Sequence, residues 1–204
     1  MFYKWVAYPI AKLLLAVSLF LLGPVRVKGK RNLPRSGGLL IVANHLSDSD
    51  PAILGHALPR QSYYMAKREL FVIPILAWII KTLRAFPVNR GSPDRAAIRK
   101  TVELLQKGEA VVVFPEGQLS ETGELQPLMP GVAMIVARSG VPVICAGLIG
   151  TPRIIPYGSV WPRPAFGGVS VTFGEPKTFP HGSTSAEILG WMTSQLQQLT
   201  GPRP

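Results

Sequence analysis

The sequence predicts an α/β domain with a mostly parallel central sheet and flanking helices, preceded by an N-terminal membrane-associated helix. Three observations carry this prediction. Short apolar runs of strand length alternate with longer runs at helical spacing, the pattern of βα units. The two most uniformly apolar of the short runs, residues 38–43 and 110–114, each lead into a polar loop. Residues 5–22 are almost wholly apolar, with Lys12 the single charge. At 204 residues the chain has room for one such domain and a small appendage, so the helix is assigned to residues 1–25 and the domain to residues 26–204.

Taken in order, the first element nears the roughly 20 apolar residues that a membrane span requires. Lys12 sits in its middle, and a charge at the bilayer centre costs about 2.5–3.5 kcal/mol. That favours a helix lying in the interface with Lys12 snorkelling to the head groups; the alternative is an apolar helix packed on the domain. Gly23-Pro24-Val25-Arg26 ends it without a small-x-small cleavage site, so an uncleaved anchor is expected. Arg26, Lys28, Lys30, Arg31 and Arg35 follow. They put the remaining chain on the cytoplasmic face of a membrane, in the first instance a bacterial inner membrane.

Beyond the anchor, residues 38–43 (GLLIVA) read as a buried strand and residues 51–58 as a helix, with Asp50 as N-cap and Pro51 at its first position. Residues 63–66 suit a strand. Residues 69–83 form an apolar helix interrupted by Pro74, which belongs against protein or lipid rather than water. Residues 93–107 are an amphipathic surface helix ending at Gly108, and residues 110–114 (AVVVF) a second core strand. A helix over 131–139, a strand over 141–146, an alternating edge strand over 169–173 and an amphipathic helix over 185–199 complete the pattern.

Charge narrows the partners. The chain carries 22 Lys+Arg against 11 Asp+Glu, and the first hundred residues hold 16 of those cations with only 4 of the acids. A basic surface alone suggests nucleic acid, but nucleic-acid binders rarely bring a long aliphatic segment with them. Anionic lipid accounts for both features together. A hydrophobic content of 47% excludes a disordered polycation. The lone Cys145 excludes an internal disulfide and a Cys-rich zinc site.

Chemistry concentrates in the two polar loops. The first reads Asn44-His45-Leu46-Ser47-Asp48-Ser49-Asp50. A loop can fold His45 and Asp50 together, and a carboxylate that accepts from one imidazole nitrogen leaves the other free to take a proton. The plainer alternative is a helix cap beside an ordinary loop histidine. The second loop runs from Phe114-Pro115-Glu116-Gly117-Gln118-Leu119-Ser120 to Leu125. In open parallel sheets ligands bind beyond the carboxyl ends of the strands, so both loops can face one crevice. The aromatics of residues 157–166 (YGSVWPRPAF) read either as a cover for an acyl groove or as a Pro-rich surface loop.

Together these residues resemble the glycerolipid acyltransferase superfamily, and within it the 1-acylglycerol-3-phosphate (lysophosphatidate) acyltransferases, over about residues 27–176. Asn44, His45 and Asp50 match the N-H-x4-D block, and Phe114, Pro115, Glu116 and Gly117 match F-P-E-G, with Ser120 in place. Ala66-Lys67-Arg68-Glu69-Leu70 is similar to the A-K-x-E-L stretch. Phe86-Pro87-Val88-Asn89-Arg90 resembles the second block and Val141-Pro142-Val143 the fourth. The resemblance implies transfer of an acyl group from an acyl-CoA or acyl carrier protein thioester to the hydroxyl of a lysophospholipid, with His45 as general base and Asp50 orienting it. It implies no metal and no cofactor. Substrate contacts fall by the same analogy on Lys67, Arg68, Arg90, Glu116, Gly117, Gln118 and Ser120, with Glu116 holding either a substrate hydroxyl or the loop itself.

One departure bears on the acceptor. Members commonly carry Thr-Arg after F-P-E-G, and Gln118-Leu119 stand there instead. Phosphate binding then rests on Lys67, Arg68 and Arg90, with Arg90 best placed by its block. Lysophosphatidate remains the first expectation, and lysophosphatidylethanolamine or a lyso-ornithine lipid the alternative. A catalytically inactive lipid-binding platform on the same fold is the reading from a different class.

Overall fold

The computed structural model describes residues 8–89, 94–159 and 161–201. Its elements are α1 (Tyr8–Leu22), β1 (Val25–Lys28), β2 (Leu39–Ala43), α2 (Asp50–Ala57), β3 (Ser62–Lys67), α3 (Pro74–Thr82), β4 (Ala85–Val88), α4 (Arg95–Gln106), β5 (Ala110–Val113), α5 (Gly131–Ser139), β6 (Val143–Ile149), β7 (Val169–Phe173) and α6 (Ser185–Thr200). Short three-ten turns at Lys30–Asn32, Arg68–Phe71 and Thr151–Arg153 link them.

The seven strands form one sheet in the order β1-β7-β6-β2-β5-β3-β4. Strands β6, β2, β5, β3 and β4 are mutually parallel, β7 runs antiparallel to β6, and β1 is parallel to β7. The α/β architecture expected from the alternating pattern is therefore present. Side-chain alternation along β2 divides the core. Leu39, Ile41 and Ala43 face a layer holding α2 and buried Leu19 of α1, and Leu40 and Val42 face α4, α5 and α6. Every residue of β2 and β5 is buried, which is why both read as continuous apolar runs.

Several expectations are corrected. Residues 169–173 form a strand, but it lies between β1 and β6; the edges are β1 and β4. Both edge strands have only four residues and half-exposed patterns, leaving little apolar signal. Pro74 does not kink a helix over 69–83; it opens α3, where its missing N–H costs no hydrogen bond, and a three-ten turn precedes it. Asp50 is the first helical residue of α2, with Ser49 at the cap, because the Asp50 carboxylate is engaged elsewhere. The Lys12 ammonium does not snorkel. It donates to the Leu58 carbonyl at 2.8 Å, at the C-terminal end of α2, and burial, with Lys30 nearby, lowers its pKa.

The two apolar helices join opposite edges of the sheet, α1 leading into β1 and α3 into β4. Six strand spacings separate those edges, about 29 Å. Helix α1 packs against α2 and leaves Leu13, Leu14, Val17, Phe20 and Leu21 exposed. Because β1 runs against the parallel strands, the end of α1 lies at their carboxyl end. There the Leu22 carbonyl accepts from Ala165 N–H, beside Phe166, which is 88% exposed. No helix among the described residues is long and apolar enough to cross a membrane.

Candidate active site

Strand β2 ends in a side-chain clamp. Its last backbone pairing with β6 joins Ala43 to Ala146. Beyond it the Asn44 side chain takes over: Nδ2 donates to the Leu148 carbonyl at 3.0 Å and Oδ1 accepts from Leu148 N–H at 2.7 Å. A buried amide satisfied in both directions extends the ladder by one step. It holds the chain at the carboxyl edge of the sheet, where His45 follows.

His45 and Asp50 meet as their spacing suggested. Nδ1 of His45 lies 2.9 Å from Oδ2 of Asp50, with Asp50 fully buried and His45 only 4% exposed. The same oxygen accepts from the backbone N–H of Leu46 at 2.7 Å and of Ser47 at 2.9 Å. An oxygen gathering two N–H donors is an acceptor toward the imidazole as well. Nδ1 therefore carries the proton, and Nε2 is left with the lone pair that a general base uses.

The loop after β5 clamps that base. Strands β2 and β5 are neighbours, so the F-P-E-G loop emerges beside His45. Oε1 of Glu116 accepts from His45 N–H at 2.7 Å, Oε2 accepts from Gln126 N–H at 2.8 Å, and Ser120 N–H donates to the His45 carbonyl at 2.8 Å. The Phe114 ring stacks on the imidazole with centroids 4.1 Å apart. Burial pushes the Glu116 carboxyl above its ordinary pKa, and its two backbone donors oppose the shift. On the other side, the Ser47 hydroxyl donates to the Ile155 carbonyl at 2.7 Å, tying the His45 loop to the chain after β6.

Lys67 and Arg68 stand at the end of β3, and Gly117, Gln118 and Ser120 follow β5, at the same end of the sheet. Lys67 closes β3, exposed and 3.9 Å from the Glu69 carboxylate. Arg68 Nε donates to Asn89 Oδ1, just past β4. Arg90 lies outside the described residues. Gly117 takes a left-handed backbone, φ 73°, at the loop's turn. Ser120 is buried and its hydroxyl donates to the Glu124 carbonyl at 2.7 Å. Gln118 lines a cavity of about 580 Å³ beside the site, together with Leu119, Asp48, Glu121, Gln126 and Tyr157.

Sequence reasoning gave no role to Asp48 or Glu121, and it read Tyr157 only as part of an aromatic segment that covers an acyl groove or forms a surface loop. The Tyr157 hydroxyl donates to Glu121 and ties the chain after β6 to the loop after β5, a pairing between residues 36 apart that no local pattern announces. The other aromatics of that segment, Trp161 and Phe166, are 79% and 88% exposed and cover no groove. Cys145 lies on β6, fully buried, with its thiol pushed up to about 12 by desolvation, so it is held as an inert core residue.

A buried His–Asp pair clamped at the carboxyl edge of a parallel sheet is an arrangement suited to base catalysis. Comparison with known proteins then gives the lineage. Residues 24–148 match the family model described as Acyltransferase, and the chain belongs to the acyltransferase family. It is 38% identical over 137 residues to a 1-acyl-sn-glycerol-3-phosphate acyltransferase of Bacillus subtilis (strain 168), covering 67% of this chain and 68% of that relative. It is 35% identical over 153 residues to a chloroplastic 1-acyl-sn-glycerol-3-phosphate acyltransferase of Brassica napus, covering 74% of this chain but 44% of that relative. The chain thus spans less than half the length of the plant protein. The crystal structure of the 1-acyl-sn-glycerophosphate (LPA) acyltransferase PlsC from Thermotoga maritima superposes with a TM-score of 0.80 at 27% identity, covering 96% of this chain and 79% of that one.

Proposed function

We propose that this chain transfers a fatty acyl group from a thioester, acyl-CoA or acyl carrier protein, to the sn-2 hydroxyl of lysophosphatidate, giving phosphatidate. The observation that carries the reading is the Asp50-held His45, whose Nδ1 sits 2.9 Å from the carboxylate. Nε2 takes the acceptor's hydroxyl proton as the oxygen attacks the thioester carbonyl. The tetrahedral adduct collapses by breaking the C–S bond, and the imidazolium returns the proton to the departing sulfur. No acyl-enzyme forms. General base catalysis of this kind contributes about 10²–10⁴-fold. Gly117, Gln118 and Ser120 frame the acceptor, and Lys67, Arg68 and Arg90 supply the phosphate contacts. Glu116 contributes mainly by fixing the base, since both its oxygens are engaged by backbone N–H groups.

The protein works on the membrane surface in this reading, on the cytoplasmic face. The exposed apolar face of α1, with Phe20, Leu21 and Phe166 at the carboxyl end of the parallel strands, sets the catalytic edge against lipid, where both the acceptor and the acyl chain reside.

A second acceptor is favoured by one observation. The cavity beside the site is lined by the carboxylates of Asp48 and Glu121 and by no cation among its described residues. Such a wall repels a phosphate monoester and attracts an ammonium, which suits lysophosphatidylethanolamine or a lyso-ornithine lipid. Competing the two acceptors in one reaction decides between them. Phosphatidate as the main product supports the first reading, with Lys67, Arg68 and Arg90 dominating. Preference for the aminated acceptor, lost in Asp48→Asn/Glu121→Gln, moves the assignment to the second.

A further inference from the structure

The sheet edge formed by β4 carries a cavity that the catalytic reading does not use. It has a volume of about 530 Å³ and is walled by Tyr63, Trp78, Lys81, Arg84, Phe86 and Lys100, among others. Tyr63, Ala85 and Phe86 stand at the amino ends of β3 and β4, so the cavity opens at the end of the sheet opposite His45. The length of β3 alone separates the two ends by roughly 17 Å.

Its chemistry is that of an anion site joined to an apolar surface. Lys81 and Lys100 are exposed. Arg84 lies half-buried behind them, its guanidinium 3.4 Å from the Glu109 carboxylate and 5.0 Å from the centre of the Tyr63 ring. No carboxylate lines the wall among the described residues. Arg84 also has a left-handed backbone, φ 61°, the only positive φ at a non-glycine among the described residues. A side chain kept where glycine would avoid about 1–2 kcal/mol of strain points to a use for it. From the rim runs the bare face of α3, with Ile75, Trp78 and Ile79 exposed by 77%, 70% and 41%. Trp78 belongs to both the cavity and that face.

We infer that this cavity seats the phosphate head group of an anionic phospholipid of the bilayer, with the lipid's acyl chains against α3. Lysine, arginine and an indole at the border of an apolar helix are the groups that settle at head-group depth, the cations on phosphate and the ring at the interface. The charge matches an anionic head group, and the apolar face matches what is covalently attached to it. A soluble anion would leave α3 uncovered. The inference rests on the membrane-docked reading above and is independent of the acyl-transfer chemistry.

The test is co-sedimentation of the purified full chain with phosphatidylcholine vesicles, with and without phosphatidylglycerol. Removing two basic groups that each contact the anionic surface is expected to weaken binding about thirty-fold. Lys81→Ala/Lys100→Ala should therefore lose that much affinity for the phosphatidylglycerol vesicles while binding to pure phosphatidylcholine stays unchanged. Both lysines are exposed, so the melting temperature should not move. Lys107→Ala/Arg138→Ala removes the same charge from exposed positions at the ends of α4 and α5 and should leave binding within about twofold. Equal losses in both pairs, or no loss in the first, would overturn the site. Acyl transfer to micellar acceptor is measured alongside: a chain inactive in that assay that still shows the pair-specific loss refutes the proposed reaction and leaves the lipid site standing.

Discussion

Asp50→Asn is expected to lower acyl transfer by about 10³–10⁴-fold, the scale seen when the carboxylate orienting a catalytic imidazole is replaced by its amide. Three donors converge on Asp50 Oδ2: His45 Nδ1 and the N–H groups of Leu46 and Ser47. An asparagine oxygen at that place can still accept from all three, but its NH₂ then takes the place of Oδ1, which is buried with no hydrogen-bond partner, and the negative charge beside the imidazole is gone. If the amide turns the other way, it donates to Nδ1 and forces the proton onto Nε2, which ceases to be a base. The first orientation keeps the base but loses the charge that stabilises the imidazolium, and the second removes the base; both keep the side chain's volume. The check is single-turnover acyl transfer beside a thermal melt, because a loss of rate in a protein melting near the wild type separates chemistry from folding.

Glu116→Ala is expected to reduce turnover by about 10²–10³-fold, through displacement of His45 rather than loss of a substrate contact. The carboxylate is the shared acceptor of His45 N–H and Gln126 N–H, and it is 6% exposed. Without it two buried donors lose their partner, at about 1–3 kcal/mol each, unless water enters. His45 then keeps the Asp50 bond to its ring, the Ser120 bond to its carbonyl and the Phe114 stack, but its backbone N–H loses its acceptor. The expected signature is a fall in kcat with KM for the acceptor nearly constant. A rise in KM at constant kcat would instead place Glu116 on the substrate.

These two residues show how far the sequence could be read. His45 and Asp50 are five apart in a loop between a buried strand and a helix, a separation that lets the two meet but equally allows a helix cap beside an ordinary histidine. Glu116 is 71 residues from His45, and only the adjacency of β2 and β5 brings them together. Sequence patterning implied a parallel sheet with both loops at one crevice, but it contained nothing about strand order, so the role of Glu116 was open between loop and substrate. The core strands were legible because they are buried on both faces. The edge strands β1 and β4 were not, since four half-exposed residues resemble a loop. Lys12 misled for a related reason: a charge in an apolar helix says that the charge finds a polar partner, and the carbonyl of Leu58, 46 residues away, serves as well as a lipid head group.

Composition suggested a lipid partner and said nothing of how the apolar helices are arranged. An apolar N-terminal helix and a basic first half indicate lipid, yet the sheet sets α1 and α3 at opposite edges. In the proposed docking, contact with the bilayer is divided between the catalytic end, near Phe20 and Phe166, and the edge that carries Trp78. Each region can be removed separately by substitution, which makes their contributions to vesicle binding separable.

The central claim is that His45 is the general base of an acyl transfer. The most direct measurement is phosphatidate formation from lysophosphatidate by the purified full chain in liposomes, with acyl-CoA and with acyl carrier protein thioester, set against His45→Ala. The account predicts product with the wild-type chain and a fall of about 10²–10⁴-fold in the variant, with the melting temperature retained. Product formed equally by His45→Ala, or none from the folded, vesicle-bound wild type with either donor and either lysophosphatidate or lysophosphatidylethanolamine, would contradict it.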